Sequence, residues 1–169
     1  MPIGLQVGND PRNCDRDHPF PVSSDAYVFT GALALDTNAY AAGDTLADAL
    51  LVTMPEGWNN LAILHDLFVL DEDDQGIAFD VLLFDRRVTT SAKNAAWNTS
   101  DADMRNCLAV VRVTSSDYID LGSNRVASIS NLARFLEVPA NGPLYVYTVS
   151  QGSGTYTAAG LRLKLGFLR

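Results

Sequence analysis

Residues 61–87, LAILHDLFVLDEDDQGIAFDVLLFDRR, constrain the fold of this chain more than any other stretch. Two apolar runs, residues 61–70 and 77–84, flank the acidic turn Asp71-Glu72-Asp73-Asp74-Gln75-Gly76. Both runs are rich in residues that suit a pleated, half-buried surface. Gly76 supplies the permissive backbone that a reversal needs. The runs are too short, and too apolar on both faces, to be lone surface elements. They predict a long antiparallel hairpin buried in an all-β core, with Leu64, Phe68, Val81 and Leu83 among the core residues.

Upstream and downstream the pattern is also that of strands. Residues 27–35 alternate, with Tyr27, Phe29, Gly31 and Leu33 on one face. Residues 49–54 form a short strand ended by Pro55 and Gly57. Residues 85–107 carry no long apolar period and read as a long loop with Trp97 at its middle. Within it Asp101-Ala102-Asp103-Met104 fits one helical turn capped by Ser100 or Asp101. Strands are expected again at 108–113, 118–121 and 144–149. Residues 126–138 match a helical face or a strand, and strand neighbours on both sides favour the strand. Gln151-Gly152-Ser153-Gly154 is expected to make a hairpin turn. In residues 161–168, Leu161, Leu163, Leu165 and Phe167 oppose Arg162 and Lys164, an antiparallel strand with one wet face. About eight strands without a βαβ signal predict an antiparallel two-sheet β-sandwich of jelly-roll type with one long loop.

Residues 1–25 differ. They hold four of the seven prolines, which remove donors and resist both helix and central strand. The domain organisation expected is therefore an extended N-terminal arm, residues 1–25, ahead of a β-sandwich at residues 26–169. Pro19, Phe20, Pro21 and Val22 are the arm's candidate docking residues, and Trp97 is a candidate for a subunit contact or for a core residue closing one end of the sandwich. The arm is expected to lie on a neighbouring subunit or a larger lattice, gaining contacts along an extended track.

Charge narrows the partners. At 169 residues and a formal net charge of −8, the chain fits one domain that repels phosphate backbones and anionic membranes. No apolar run reaches the roughly 18 residues of a membrane span, and no signal-peptide pattern is seen at the N-terminus. Cys14 and Cys107 are read as free thiols of a chain made in a cytoplasm.

Candidate chemistry is sparse. Asp71, Asp73, Gln75, Gly76 and the Ile77 carbonyl fall at the first, third, fifth, sixth and seventh places of a calcium loop, yet Leu82 stands where the bidentate Glu belongs. The stretch reads as a solvated acidic turn that also blocks edge aggregation, and no metal or other cofactor is expected. Asp66, Asp80 and Asp85 could supply a carboxylate pair for glycoside hydrolysis only if folding brought two together. His18 and His65 form no zinc pattern, and His65, beside Asp66, is expected to be a partly buried histidine with an ordinary partner and not a base. No nucleophile motif surrounds Cys107. No enzyme is expected.

Certain pieces, in their order, resemble the head decoration (cement) proteins of tailed bacteriophages. They are Tyr40-Ala41-Ala42-Gly43-Asp44, Leu83-Phe84-Asp85, Asn94-Ala95-Ala96-Trp97 with Ser100-Asp101-Ala102-Asp103, then Pro143-Leu144-Tyr145-Val146-Tyr147 and Gly154-Thr155-Tyr156-Thr157 before the last strand. The resemblance spans about residues 27–169. It implies a minor virion structural protein, a jelly-roll sandwich assembled as a homotrimer on the capsid exterior, with the major capsid protein as partner and no catalysis. The alternative is a tail or fibre module in which Trp58, Trp97 and Tyr156 form a stacking platform for carbohydrate or another receptor.

Overall fold

The computed structural model describes residues 25–58, 61–139 and 142–169. Its strands are β1 (Ala26–Ala32), β2 (Leu50–Val52), β3 (Ala62–Asp71), β4 (Phe79–Phe84), β5 (Cys107–Val113), β6 (Tyr118–Asp120), β7 (Arg125–Ile129), β8 (Arg134–Leu136), β9 (Leu144–Ser150) and β10 (Leu161–Leu168). One helical turn, α1 (Asp101–Met104), precedes β5, and the Ser100 hydroxyl caps it by accepting the Asp103 N–H at 3.1 Å. The expected arm, with Cys14, His18, Pro19, Phe20, Pro21 and Val22, lies outside the described residues.

Alternation sorts the strands into two layers. In β10 the odd residues Leu161, Leu163, Leu165 and Phe167 are buried and Arg162 and Lys164 point outward, as the sequence pattern required. β10 pairs antiparallel with β1 on one side and β3 on the other, and β3 continues to β7, β6 and β8. This is the six-stranded sheet. The second sheet has the order β2-β9-β4-β5, also antiparallel. The inner faces of both enclose one core that includes Leu64, Leu67, Val81, Leu83, Leu163 and Phe167. The chain crosses between the sheets at β1–β2, β2–β3, β3–β4, β5–β6, β8–β9 and β9–β10, while β4–β5 and β6–β7–β8 stay within one sheet. The all-β sandwich read from the sequence is the fold observed.

Three local expectations need correction. Residues 61–84 are not a hairpin: β3 lies in the six-stranded sheet and β4 in the four-stranded one, so the acidic turn is an arch from one layer to the other. The Gln151–Gly154 segment likewise does not close a hairpin, because β9 and β10 belong to different sheets. Apolar runs joined by a turn can pair edge to edge or stack face to face, and here stacking buries the inner face of β4 while the following loop covers its outer face. Phe68 is not in the core. The register slips between Gly166 and Phe167, which face Asp66 and Leu64, so that His65 is an extra residue. That bulge flips the pleat, and Phe68, which shares strand parity with Leu64, emerges on the outer face beneath Lys164 (Nζ to ring centroid 5.2 Å).

The bulge also explains why residues 126–138 are neither one helix nor one strand. β7 pairs with residues 67–71 of β3 and β8 with residues 62–64, and the break between them falls at the level of the bulge. There Leu132 donates its N–H to the His65 carbonyl at 2.9 Å. Asn131 and Ala133 take positive φ values of 59° and 47° to make the jog.

Candidate functional site

The acidic arch is a self-contained lock. Asp71 is fully buried at the end of β3, and its carboxylate accepts the N–H groups of Asp73 (3.1 Å) and Gly76 (2.7 Å). Burial pushes its carboxyl above the ordinary range, against those backbone donors. Asp73 accepts the Thr157 N–H at 2.7 Å, Asp74 pairs with Arg125 at 2.7 Å, and Glu72 pairs with Arg162 at 2.6 Å. Gly160 must be glycine, because a Cβ there would overlap the Asp73 carboxylate. The oxygens that a calcium loop would offer are thus engaged by the strands on either side. Among the described residues no group of three or more His, Cys, Asp or Glu side chains is disposed to hold a metal ion.

The three carboxylates weighed for glycoside hydrolysis are not brought together. Asp66 is on the outside of the six-stranded sheet and accepts from His65 Nδ1 at 2.7 Å. Asp80 faces out of the opposite sheet, held by Arg112 (2.7 and 2.9 Å) and Gln151 (2.9 Å). Asp85 pairs with its neighbour Arg86. Nor is there a stacking platform of Trp58, Trp97 and Tyr156. Trp58 and Tyr156 are buried in the main core, the first edge-on to Tyr27 and the second near Tyr40.

Trp97 belongs to a second apolar cluster on the outside of the four-stranded sheet. Leu82, Phe84, Val88, Tyr147 and Val149 form it, with Trp97 and Cys107 packed alongside. The long loop, residues 85–106, is its roof. Tyr147 pins the roof by donating to the Val88 carbonyl and accepting the Val88 N–H, both at 3.1 Å. Its ring meets Phe84 and Trp97 edge-on at 5.4 and 5.7 Å. Trp97 is further fixed by its N–H to the Gly43 carbonyl at 2.7 Å. The Cys107 thiol is pushed up by burial, away from the thiolate that a nucleophile needs. Beside the roof runs an open groove of about 710 Å³, bordered by Asp48, Leu51, Arg87, Thr89, Ser91 and Tyr145.

The outside of the six-stranded sheet has no such roof among the described residues. Register aligns two apolar rows across it. Ile119, Val126 and Leu70 face one another across β6, β7 and β3, and Leu121 follows just beyond β6. Ala26, Leu168, Ile63 and Phe135 line up across β1, β10, β3 and β8. Ile119 is 63% exposed, Leu121 60% and Phe135 69%. Sequence reasoning missed these residues. The signal available was that residues 61–70 are apolar at both parities, which gives the strand a second apolar face whatever its register.

No protein-family model matches the chain, and no curated protein matches it. Among solved structures, the chain is similar to one in the X-ray structure of tomato aspermy virus, with a TM-score of 0.43 and 11% identity, covering 86% of this chain and 76% of that one. It is also similar to a chain of the heated full particle of Israeli acute paralysis virus, with a TM-score of 0.25 and 7% identity, covering 99% of this chain and 79% of that one.

Proposed function

We propose that the chain is a virion structural protein: a decoration, or cement, protein of a tailed bacteriophage that assembles as a homotrimer on the capsid exterior and stabilises the head through contacts to the major capsid protein. The observation that carries this reading is the apolar row Ile119, Val126 and Leu70, extended by Leu121, on the uncovered face of the six-stranded sheet. Single exposed apolar residues are ordinary, but a registered row at a sheet edge marks a surface built for protein contact. β6 is also an edge strand, paired only with β7 among the described residues, and symmetric association is one way to cover such an edge. Trp97, half-buried on the roof of the other sheet, is a second contact in this proposal, and the N-terminal arm a third. The order of motifs along residues 27–169 supports the decoration role. The protein would be made in the host cytoplasm and act on the finished shell without catalysis.

Sedimentation of the full chain at micromolar concentration tests the oligomer. A trimer mass is expected, and Ile119→Asp with Leu121→Asp should release monomers that unfold at the same urea concentration as the parent. A wild-type monomer would reject the trimer. Heads stripped of this protein should take it up stoichiometrically, and heads that do not would reject the decoration role.

A further inference from the structure

The second apolar row, Ala26, Leu168, Ile63 and Phe135, begins at the residue where the sandwich itself begins. Val28, one pleat along β1, is 62% exposed beside it, and Leu61 at the mouth of β3 is 52% exposed. We propose that the chain's own residues 19–22 fold back across this face, seating Phe20 and Val22 on the row of the same subunit.

Reach and direction select that occupant. Adjacent strands lie about 4.8 Å apart, so the path from β1 over β10 and β3 to β8 is about 14 Å. Phe20 is six residues from Ala26: three extended residues cover about 10 Å and the turn up to about 7 Å more. A reversal is needed directly before β1, where Ser23, Ser24 and Asp25 stand, residues whose short polar side chains favour turns. A segment that crosses the strands finds no free backbone partners in the face of a sheet whose ladders are complete. Pro19 and Pro21 suit such a path, since neither has an N–H to leave unmet. Phe20 and Val22 alternate with them and can both face the row. Residues 1–18 would then run on past β8, which is where a neighbouring subunit or the shell would meet them. The assignment does not depend on the virion role.

Disulfide trapping decides it. Phe20→Cys and Phe135→Cys are placed together in the full chain with Cys14→Ser and Cys107→Ser, and the protein is oxidised mildly at micromolar concentration. The expected product is a cross-linked single chain, with both thiols lost and faster migration on a non-reducing gel. A control pairs Phe20→Cys with Val110→Cys, on the outside of the four-stranded sheet, and should stay reduced. No cross-link, a control that links equally well, or a linked dimer would each overturn the proposal; the dimer would show the arm on a second copy and leave the trimer standing. A second measurement needs no change in the sandwich. Deleting residues 1–22 should raise binding of an apolar fluorescent dye several-fold over the full chain, and adding Phe135→Asp should remove most of that gain. Equal dye binding by the full and truncated chains would reject the docking.

Discussion

The two sheets present opposite solutions to the same problem. Each has an inner face in the common core, and each carries apolar side chains on its outer face as well. In the four-stranded sheet those side chains are enclosed: β4 is buried at every residue, and Phe84, Leu82 and Tyr147 lie beneath residues 85–106. In the six-stranded sheet they stand open, with Phe135 at 69% and Ile119 at 63% exposure. A loop of some twenty residues with little regular structure is costly to order in a compact domain unless it covers something. Here it covers the outer face of the four-stranded sheet. The difference teaches that the long loop is structural, and that the larger open apolar surface lies on the other side of the molecule.

The comparison can be broken most sharply at Phe84. Its side chain is fully enclosed between the sheet and its roof, with Tyr147 edge-on at 5.4 Å. Phe84→Ala should destabilise the protein by roughly 3–5 kcal/mol in urea unfolding, the range of buried aromatic truncations. That range overlaps the roughly 2–5 kcal/mol expected for Leu83→Ala in the main core. A loss below about 1 kcal/mol, the size of an ordinary surface change, would mean that the roof does not close and that the two outer faces are alike.

The roof itself is tested by Tyr147→Phe. The hydroxyl serves both the N–H and the C=O of Val88, and all of these groups are buried. Removing it leaves a donor and an acceptor unmet, a change of about 1–3 kcal/mol. The same substitution should speed amide exchange at Val88 and Trp97 while leaving β10 protected. Uniform acceleration throughout the sandwich would show instead that loop and core open as one unit.

How much of this was legible in the residues follows from what a pattern can encode. Alternation in residues 161–168 specifies a face, and β10 has that face. Ser100 before Asp101-Ala102-Asp103-Met104 specifies a cap, and α1 starts there. Pairing partners are not encoded locally: residues 61–70 and 77–84 have the composition of hairpin arms, yet they stack in separate layers. The six-residue acidic connection was the available hint, because the commonest hairpin turns are much shorter. Its buried Asp71 supplies the acceptors that a chain crossing between layers needs. The bulge at His65 left no signature in its own stretch, since it shows only against the register of β10 and the jog between β7 and β8, about 65 residues further on. Trp97 stands out in the sequence by its size and its place in the long loop, but its partner within the chain, Tyr147, could be found only from the fold. The exposed rows depend on register across three and four strands, which no single stretch contains.

The smallest effect is expected at Phe68, and it sharpens the comparison because the residue was expected in the core. The bulge places it outside, half-buried on the six-stranded sheet with the Lys164 ammonium 5.2 Å from its ring centre. An exposed cation–ring contact contributes about 0.5–1 kcal/mol, and partial burial of the ring adds a comparable amount. Phe68→Ala should therefore lower stability by about 1–2 kcal/mol, well under the figure for Phe84→Ala. The companion change Lys164→Gln isolates the charge, and its part should weaken little with salt because the contact is short. Protein concentration provides the decisive variable. If the face is open in the monomer and covered only on association, the cost of Phe68→Ala is fixed in dilute solution and grows as the wild type assembles. A cost equal to that of Phe84→Ala at the lowest concentration would show that this face is already enclosed within one chain, and the contrast between the two sheets would fall.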